Sequence, residues 1–408
     1  MAWAMYDWAN SAFLLIIITA IFPIYFANVA AEGLAPGVAT FRYSLATTAG
    51  LLIIAILAPF LGAVADFAGI KKRMLGTFLA LGVVATGLMF FIERGDWILA
   101  ALLFIAANIG ANGSYVFYDA LLPHITRDSR EMDRVSTAGY AMGYLGSALL
   151  MVLVIAWILK PAWFGLPADP SATLPTRLAF VAVALWWLGF SIPLFRQVPE
   201  PPARREPDEP RTGSFLRAAV MRLRETLGEL RGFRNAFLML LAFLIYNDGI
   251  GTIIRMAAIY GAEIGIGPGA LIGSILLVQI IGVPFAFLFG ALAGRIGPRH
   301  AIFLGLATYV GISIFGYLMT TATHFLILAV LVGMVQGGTQ ALSRSLFASM
   351  IPRHKSGEFF GFFAVVEKFA GIFGPALFAI AIVMTGSSRA AILSVIVFFV
   401  VGGLLLLR

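Results

Sequence analysis

Long apolar stretches fill most of this chain and restrict it to a membrane fold. A helix that crosses a bilayer needs about 20 apolar residues, and by that measure the first half predicts spans at 5–30, 40–64, 73–92, 97–121, 135–159 and 177–195. The second half predicts spans at 235–262, 270–293, 300–321, 324–350, 359–384 and 388–407. Charged residues make up 12% of the chain, against about 25% in soluble proteins. We therefore expect an all-α membrane protein with twelve transmembrane helices.

A repeated motif indicates that the second half of the chain is a copy of the first. The segment GAVADFAGIKKR at 62–73 matches GALAGRIGPRH at 290–300, and YAMGYLGSALL at 140–150 matches KFAGIFGPALF at 368–378 with the same offset. Because each half holds an even number of spans, the copies are parallel and pseudo-symmetric about an axis along the membrane normal. The predicted domains are a six-helix bundle, a cytoplasmic linker and a second six-helix bundle: 1–196, 197–233 and 234–408.

The linker at 197–233 differs in composition from both bundles. It begins with the proline-rich, charged run VPEPPARREPDEPR, which cannot form a core. Further along, Phe215, Leu216, Ala219 and Leu223 fall near one face of a helix, with arginines on the other. This pattern predicts an amphipathic helix on the membrane surface. A regulatory docking site is the alternative.

Basic residues are concentrated in alternate loops. One set of loops carries Lys71, Lys72, Arg73, Arg127, Arg130, Arg134, Arg295, Arg299, Arg353 and Lys355, whereas the other set carries Arg94, Lys160, Arg177 and Arg389. Cytoplasmic loops hold an excess of lysine and arginine. We therefore place both termini and the linker in the cytoplasm.

Composition and motifs exclude several classes of function. The chain has no cysteine, and its four histidines fall near predicted helix ends, so no metal cluster is expected. We find no HExxH motif, Ser–His pairing or nucleotide-binding loop, and therefore predict neither an enzyme nor a primary pump, and no cofactor. The net charge of +8 follows from the loop asymmetry, so nucleic acid is not an expected partner. The expected partners are a small-molecule substrate, protons or another coupling ion, and membrane lipid, with the protein a monomer.

Ionisable residues inside the predicted spans are the first candidates for function. A charge at the centre of a span costs about 2.5–3.5 kcal/mol even on insertion scales. The residues that share this position are Arg42, Asp119, Asp248, Arg255, Arg344, Glu367 and Lys368. Asp248 lies near the bilayer midplane in the polar run YNDG, and we predict that Asp248 and Glu367 are proton-coupling groups. The alternative for Asp248 is a structural carboxylate that is hydrogen-bonded to a neighbouring helix.

Helical geometry also predicts which of these charges meet. Arg344 and Glu367 are expected at the same depth on consecutive antiparallel helices, so we predict that they pair. Arg255 lies two turns beyond Asp248, about 10 Å along the helix axis, and we expect no direct contact between these two. Arg255 either binds a carboxylate or phosphate of a solute, or reaches the membrane surface or Glu263.

Polar residues form stripes along individual helices. Gln336, Gln340 and Arg344 follow one another at one-turn spacing, which lipid would disfavour, so this stripe faces protein or water. Asp7 and Asn10 share a face at the start of the first helix. The predicted substrate-binding residues are Asn10, Asn112, Asn247, Arg255, Gln336, Gln340 and Arg344.

Three motifs resemble a known transporter family. The pattern GxxxDxxGxKKR at 62–73 resembles the turn between helices two and three of the major facilitator superfamily, and YDWANSAF at 6–13 and IYNDG at 245–249 resemble its vacuole-effluxer-like branch, related to the autophagy-linked amino-acid effluxers of fungal vacuoles. This resemblance implies the major facilitator fold and a cytoplasmic gate that holds the outward-facing state. Since the branch has prokaryotic members, the location that it implies is the cell membrane, the inner membrane of a prokaryote. The gating residues are then Asp7, Gly62, Asp66, Gly69, Lys71 and Arg73. Gly294 replaces the acid in the second copy, so the role of the acid applies to the first half alone.

The expected function is secondary active transport of a small polar solute, an amino acid or related metabolite, by alternating access between the two bundles. Export is what the family resemblance implies, and proton coupling is expected from the carboxylates inside the spans. An exporter of amphiphilic drugs or lipid-like molecules is the alternative, because aromatic residues make up 13% of the chain and fixed charges are few. A channel is disfavoured because the charged sites differ between the halves.

Overall fold

Among the described residues, twelve helices are long and apolar enough to cross a membrane, which confirms the predicted number of spans. The computed structural model describes residues 1–167, 173–203, 233–263, 268–371 and 373–407. The first half contains α1 (Ala4–Ala30), α2 (Pro36–Ala68), α3 (Lys71–Leu88), α4 (Trp97–Ile125), α5 (Ser129–Leu159) and α6 (Leu174–Gln197). The second half contains α7 (Arg234–Glu263), α8 (Pro268–Ile296), α9 (Pro298–Leu318), α10 (Ala322–Met350), α11a (Ser356–Phe369), α11b (Phe373–Thr385) and α12 (Arg389–Leu407).

Local sequence signals set several helix ends. Gly69 ends α2 with a φ of 64° and donates its N–H to the carbonyl of Ala65, a left-handed conformation that glycine adopts without strain. Asp128 begins α5, where its side chain accepts the N–H of Glu131 at 2.8 Å as an N-cap. These ends fix the directions in which α2 and α5 enter the bundle.

The eleventh span, predicted at 359–384, is interrupted near its middle. α11a ends at Phe369 and α11b begins at Phe373. Between them Gly371 has a φ of 121°. This backbone angle is unfavourable for any residue other than glycine and lies outside the α-helical range. The span therefore consists of two half-helices, with the break at the glycine.

Both chain termini lie at the same end of the bundle because the number of spans is even. We call it the termini end; it also holds the α2–α3, α4–α5, α8–α9 and α10–α11 turns. Across the two halves, α2 packs against α11a, and α5 packs against α8 and α10. A space remains between the two halves, and it extends towards the end of the bundle opposite the termini end.

The first residues of the linker lie against the turn between α2 and α3. Glu200 Oε1 accepts the backbone N–H of Lys72 at 2.8 Å. Lys72 Nζ donates to the carbonyls of Phe195 at 2.9 Å and Val198 at 2.6 Å. The start of the linker is thus held to the first half. The amphipathic helix predicted further along lies outside the described residues.

Candidate functional site

A cavity of about 830 Å³ lies between the two halves. Its floor, towards the termini end, includes Asp7, Asp119 and Arg344, and its lining extends to Met319 and Phe325 at the opposite end. Apolar side chains from both halves form much of its wall: Leu14, Ile18, Val278, Leu328 and Val332. Its volume and mixed lining are typical of sites for small molecules.

Arg344 of α10 joins the floor of the cavity to the first half. Its Nη1 donates to Asp119 Oδ1 at 3.0 Å and its Nη2 to Asp7 Oδ2 at 3.3 Å. Its Nε donates to Ser136 Oγ at 2.9 Å, and its Nη2 also donates to the Ser136 carbonyl at 3.0 Å. The side chain is 3% exposed, and a buried charge is tolerated when it is paired in this way. We call Arg344, Asp7, Asp119 and Ser136 the Arg344 cluster.

Asp7 is held by α4 as well as by Arg344. Its Oδ2 accepts the Tyr118 hydroxyl at 2.8 Å, and its Oδ1 accepts the Tyr115 hydroxyl at 3.2 Å. Trp3 stacks on Tyr118 with ring centroids 4.1 Å apart and donates Nε1 to the Tyr118 carbonyl. The first turn of α1 is therefore fixed to α4. The gating role of Asp7 stays a prediction, and its carboxylate lies at the boundary between the halves.

Glu367 does not pair with Arg344, so the pairing predicted from their depth is wrong. Glu367 Oε2 lies 3.3 Å from Nζ of Lys368, the next residue, although neighbouring positions on a helix point about 100° apart. Their long side chains bend towards each other, whereas Arg344 faces α1 and α4 across the interface. Both Glu367 and Lys368 line the cavity, and the Glu367 side chain is 44% exposed.

Most of the predicted substrate-binding residues line the cavity. These are Asn112, Arg255, Gln336, Gln340 and Arg344. Asn10 and Asn247 are not among the residues that line the cavity. Asn10 is fully buried and donates to Ser114 Oγ at 3.3 Å, and Asn247 Oδ1 accepts from Gln340 at 3.4 Å. Both amides bond to protein neighbours, and the substrate-binding roles of these two residues stay predictions.

Asp248 lies at the break in the eleventh span rather than on the cavity. Its Oδ2 accepts the N–H groups of Phe373 at 3.0 Å and Gly374 at 2.9 Å. Arg255 Nη2 lies 4.0 Å from Asp248 Oδ1. The expectation of no direct contact is therefore wrong, because the arginine side chain reaches back along α7. The alternative partner, Glu263, has its side chain outside the described part of the chain.

The end of α2 contacts the start of α11a at the termini end. Asp66 accepts the N–H groups of Gly357 at 3.1 Å and Glu358 at 2.8 Å, in the first turn of α11a, and pairs with Lys71. Gly62 approaches so closely that a Cβ there would overlap the Gly357 carbonyl. Since a helix N-terminus carries partial positive charge, the Asp66 carboxylate joins α2 to α11a. The gating roles of Gly62, Asp66 and Lys71 stay predictions.

The remaining predicted gating residues have other surroundings. Gly69 ends α2 and lies against the start of the linker, and Arg73 is exposed in the first turn of α3. A further contact between the halves comes from Arg353, which donates to the carbonyl of Thr126 at 3.1 Å. The turns at the termini end therefore contact each other directly in this conformation.

Two residues that contact Arg344 or Asp7, Ser136 and Tyr118, are not predicted from the sequence. Asp119 carries a sequence signal, since it is a carboxylate inside a span. Ser136 and Tyr118 carry none, because hydroxyl groups are common in membrane helices and bond to their own backbone. The contact of Ser136 arises where Arg344 of the other half approaches α5, and that of Tyr118 arises where α1 packs against α4.

Comparison with known proteins places the chain in a family. The family described as Vacuole effluxer Atg22 like matches residues 1–408. The uncharacterized MFS-type transporter YxiO of Bacillus subtilis (strain 168) is 38% identical over 403 residues, which cover 98% of this chain and 92% of that protein. The chain belongs to the Atg22-like family. It is a multi-pass membrane transporter of the major facilitator superfamily, as the motif resemblance implies.

Two more distant proteins are also similar to this Atg22-like transporter. Autophagy-related protein 22 of Coccidioides immitis (strain RS) is 23% identical, over 80% of this chain and 65% of that protein. The human organic anion transporter MFSD10 (TETRAN) superimposes with a TM-score of 0.72 at 14% identity, over 99% of this chain and 97% of that one. At this identity the likeness shows the fold alone, which is the predicted major facilitator fold.

Proposed function

We propose that this Atg22-like transporter carries a small amino-acid-like solute across the cell membrane by alternating access. The supporting observation is a largely apolar cavity with two half-exposed charged side chains of opposite sign. The Arg255 side chain is 46% exposed and that of Glu367 is 44% exposed, and both line the cavity. A solute with one carboxylate and one ammonium group complements this pair, and an apolar side chain complements the wall.

Arg255 is the better receptor for a carboxylate than Arg344. The donors of Arg344 already bind Asp7, Asp119 and Ser136, and each such charge-assisted bond is worth about 1.5–3 kcal/mol. The Arg255 guanidinium lies 4.0 Å from Asp248, which is beyond hydrogen-bond distance and leaves it able to turn to the cavity. Arg255 thus binds the carboxylate of the solute in this proposal, with Glu367 binding its ammonium group.

Alternating access requires the Arg344 cluster to separate. Arg344 belongs to the second half, whereas Asp7, Asp119 and Ser136 belong to the first. If the termini lie in the cytoplasm, as the basic loops indicate, the conformation described above is closed to the cytoplasm and faces outwards. Rocking of the two bundles then breaks the Arg344 cluster together with the contact between Asp66 and α11a, and exposes the same cavity to the cytoplasm.

Glu367 is the proton-coupling residue in this proposal. It lies on the cavity, so a proton and the ammonium group of a solute compete for the same carboxylate. Competition of this kind exchanges one for the other across the membrane. Asp248, the second predicted proton-coupling residue, is buried behind the cavity and is less suited to this exchange. The family description, vacuole effluxer, supports export of the solute.

Transport of amino acids by the purified protein in proteoliposomes tests this function. Counterflow is measured for the twenty amino acids, for their decarboxylated amines and for amphiphilic cations. We expect saturable counterflow of amino acids with apolar side chains and none of the matching amines. Counterflow of amphiphilic compounds but of no amino acid would instead support the alternative, an exporter of drugs or lipid-like molecules. Such molecules could also bind to the apolar wall of the cavity.

Glu367→Gln is expected to abolish accumulation of the solute driven by a pH gradient, while counterflow at constant pH persists with a weaker apparent affinity. Glutamine keeps the size of the side chain but binds no proton, and loss of the charged contact weakens solute binding by about tenfold. Both activities are measured in the same proteoliposomes. Asp96→Asn, an exposed residue in the loop before α4, is the control and retains both. Full pH-driven accumulation by Glu367→Gln would contradict proton coupling through this residue.

A further inference from the structure

At the break in the eleventh span, the Asp248 carboxylate of α7 accepts hydrogen bonds from the start of α11b. The first N–H groups of a helix have no partner within that helix, and at the start of α11b two of them, from Phe373 and Gly374, are accepted by Asp248 Oδ2. A negative charge at this position also interacts favourably with the helix dipole. Asp248 therefore fixes where α11b begins.

The second oxygen of the same carboxylate faces Arg255. Asp248 Oδ1 is buried and, within the described residues, accepts no hydrogen bond. Arg255 Nη2 lies 4.0 Å from it. A buried carboxylate oxygen without a donor is costly unless a positive charge compensates it. Arg255 supplies that charge from just beyond hydrogen-bond distance.

Two glycines make room for the Arg255 guanidinium. A Cβ at Gly371 would lie 2.7 Å from Nη2 and 2.9 Å from Nη1 of Arg255, and a Cβ at Gly251 would lie 2.9 Å from Nη2. A larger residue at either position would displace the guanidinium. The positive φ of Gly371 that breaks the helix therefore also provides the space in which Arg255 lies.

We propose that Arg255, set in this space, is a carboxylate-binding subsite, and that Asp248 is the positioning residue that holds the break and the guanidinium in place. The assignment of this subsite rests on the proposed transport of an amino-acid-like solute. The group of the solute that Arg255 recognises is its carboxylate. Arginine binds a carboxylate with two parallel hydrogen bonds. Asp248 and the glycines lie on one side of the guanidinium, and its exposed part faces the cavity.

The local charge favours a monocarboxylate over a phosphate. Asp248 offsets the charge of Arg255, and Glu367 offsets that of Lys368 one turn before the break. A solute with one carboxylate and one ammonium group leaves this balance unchanged. A phosphate dianion would add net negative charge beside two carboxylates, which in a poorly solvated site is disfavoured.

Binding of L-leucine and L-leucinamide, which differ at the carboxyl group, tests the subsite. Binding is measured from the thermal unfolding of the purified full-length transporter at increasing ligand concentration; if another amino acid gives the strongest counterflow, that acid and its amide replace this pair. We expect leucinamide to bind about tenfold more weakly than leucine, since it cannot form the charged bidentate contact. Equal binding of the two would overturn the subsite.

Substitutions at Arg255 and at the neighbouring Gly251 test the subsite further. Arg255→Lys is expected to weaken leucine binding by about 10- to 100-fold, because the lysine ammonium group cannot form the two parallel hydrogen bonds that a guanidinium makes with a carboxylate. Gly251→Ala, which favours the helix but intrudes on the guanidinium, is expected to weaken leucine binding and to leave leucinamide binding unchanged. Leucine binding that is unchanged in both variants would contradict the assignment.

Two variants of Asp248 separate positioning from proton transfer. Asparagine caps a helix about as well as aspartate, so Asp248→Asn is expected to raise KM for the solute by about threefold and to retain accumulation driven by a pH gradient. Asp248→Ala removes the acceptor and is expected to raise KM by about tenfold with little change in the maximal rate. Loss of pH-driven accumulation in Asp248→Asn would overturn the positioning role and make Asp248 a proton carrier.

Different results would overturn the proposed function and the carboxylate subsite. A wild-type transporter that neither binds nor carries any amino acid would overturn the proposed function. A transporter that carries leucine and leucinamide equally well would leave a solute transporter in place and overturn the carboxylate subsite alone.

Discussion

Arg344→Gln is expected to abolish transport and to lower the thermal stability of the protein. The substitution leaves Asp7 and Asp119 without the guanidinium that binds them at 3.3 and 3.0 Å. Removing one partner of a buried ion pair costs about 3–5 kcal/mol. Since about 1.4 kcal/mol is a factor of ten, the conformation that is closed at the termini end would lose at least about 100-fold in population. Counterflow in proteoliposomes and thermal unfolding in detergent measure both effects.

A triple variant separates the effect of charge from that of packing. Asp7→Asn and Asp119→Asn, added to Arg344→Gln, remove the uncompensated charges, and neutral replacement of a whole buried ionic group is often tolerated. We expect stability to recover in the triple variant while transport stays at background, because the ionic contact between the halves is lost. Arg295→Gln, at an exposed position at the end of α8, is the control. Normal transport by Arg344→Gln would contradict a role for the Arg344 cluster in the transport cycle.

Gly62→Leu is expected to hold the transporter open at the termini end. A side chain at this position would overlap the Gly357 carbonyl, and backbone cannot move aside as a flexible side chain can. Overpacking costs about 1–3 kcal/mol, and more where backbone must shift, so transport is expected to fall by about 100-fold. The variant still folds, because the conformation in which the halves separate at this end has room for the side chain.

The absence of cysteine from the chain makes this change of conformation measurable. A single cysteine at Thr137, a buried residue of α5 that lies against Gly290 of the other half, reports on the opening between the halves. We expect a hydrophilic maleimide to label it at least about tenfold faster in the Gly62→Leu background. Gly189→Leu is the matched control, since the space around Gly189 in α6 is open. Unchanged labelling together with lost transport would count against a gate at this contact.

Hydrophobicity by itself determined the number and order of the spans. Each helix needs about 20 apolar residues to cross the hydrocarbon and must satisfy its backbone internally, so length and composition suffice to recognise it. The repeat between 62–73 and 290–300 likewise indicated two related halves. The cost of charge in a membrane singled out Arg255, Arg344 and Glu367, which the structure places on the cavity.

Tertiary structure alone decided which of these residues meet. Depth along a helix predicts that Arg344 and Glu367 pair, but the partner depends on how α10 is rotated about its axis and on how closely the other half approaches. Arg344 consequently binds Asp7 and Asp119. In the same way Asp248 fastens a break that lies 125 residues further along the chain. A periodic pattern describes one helix at a time, whereas these contacts arise when helices from distant parts of the chain pack together.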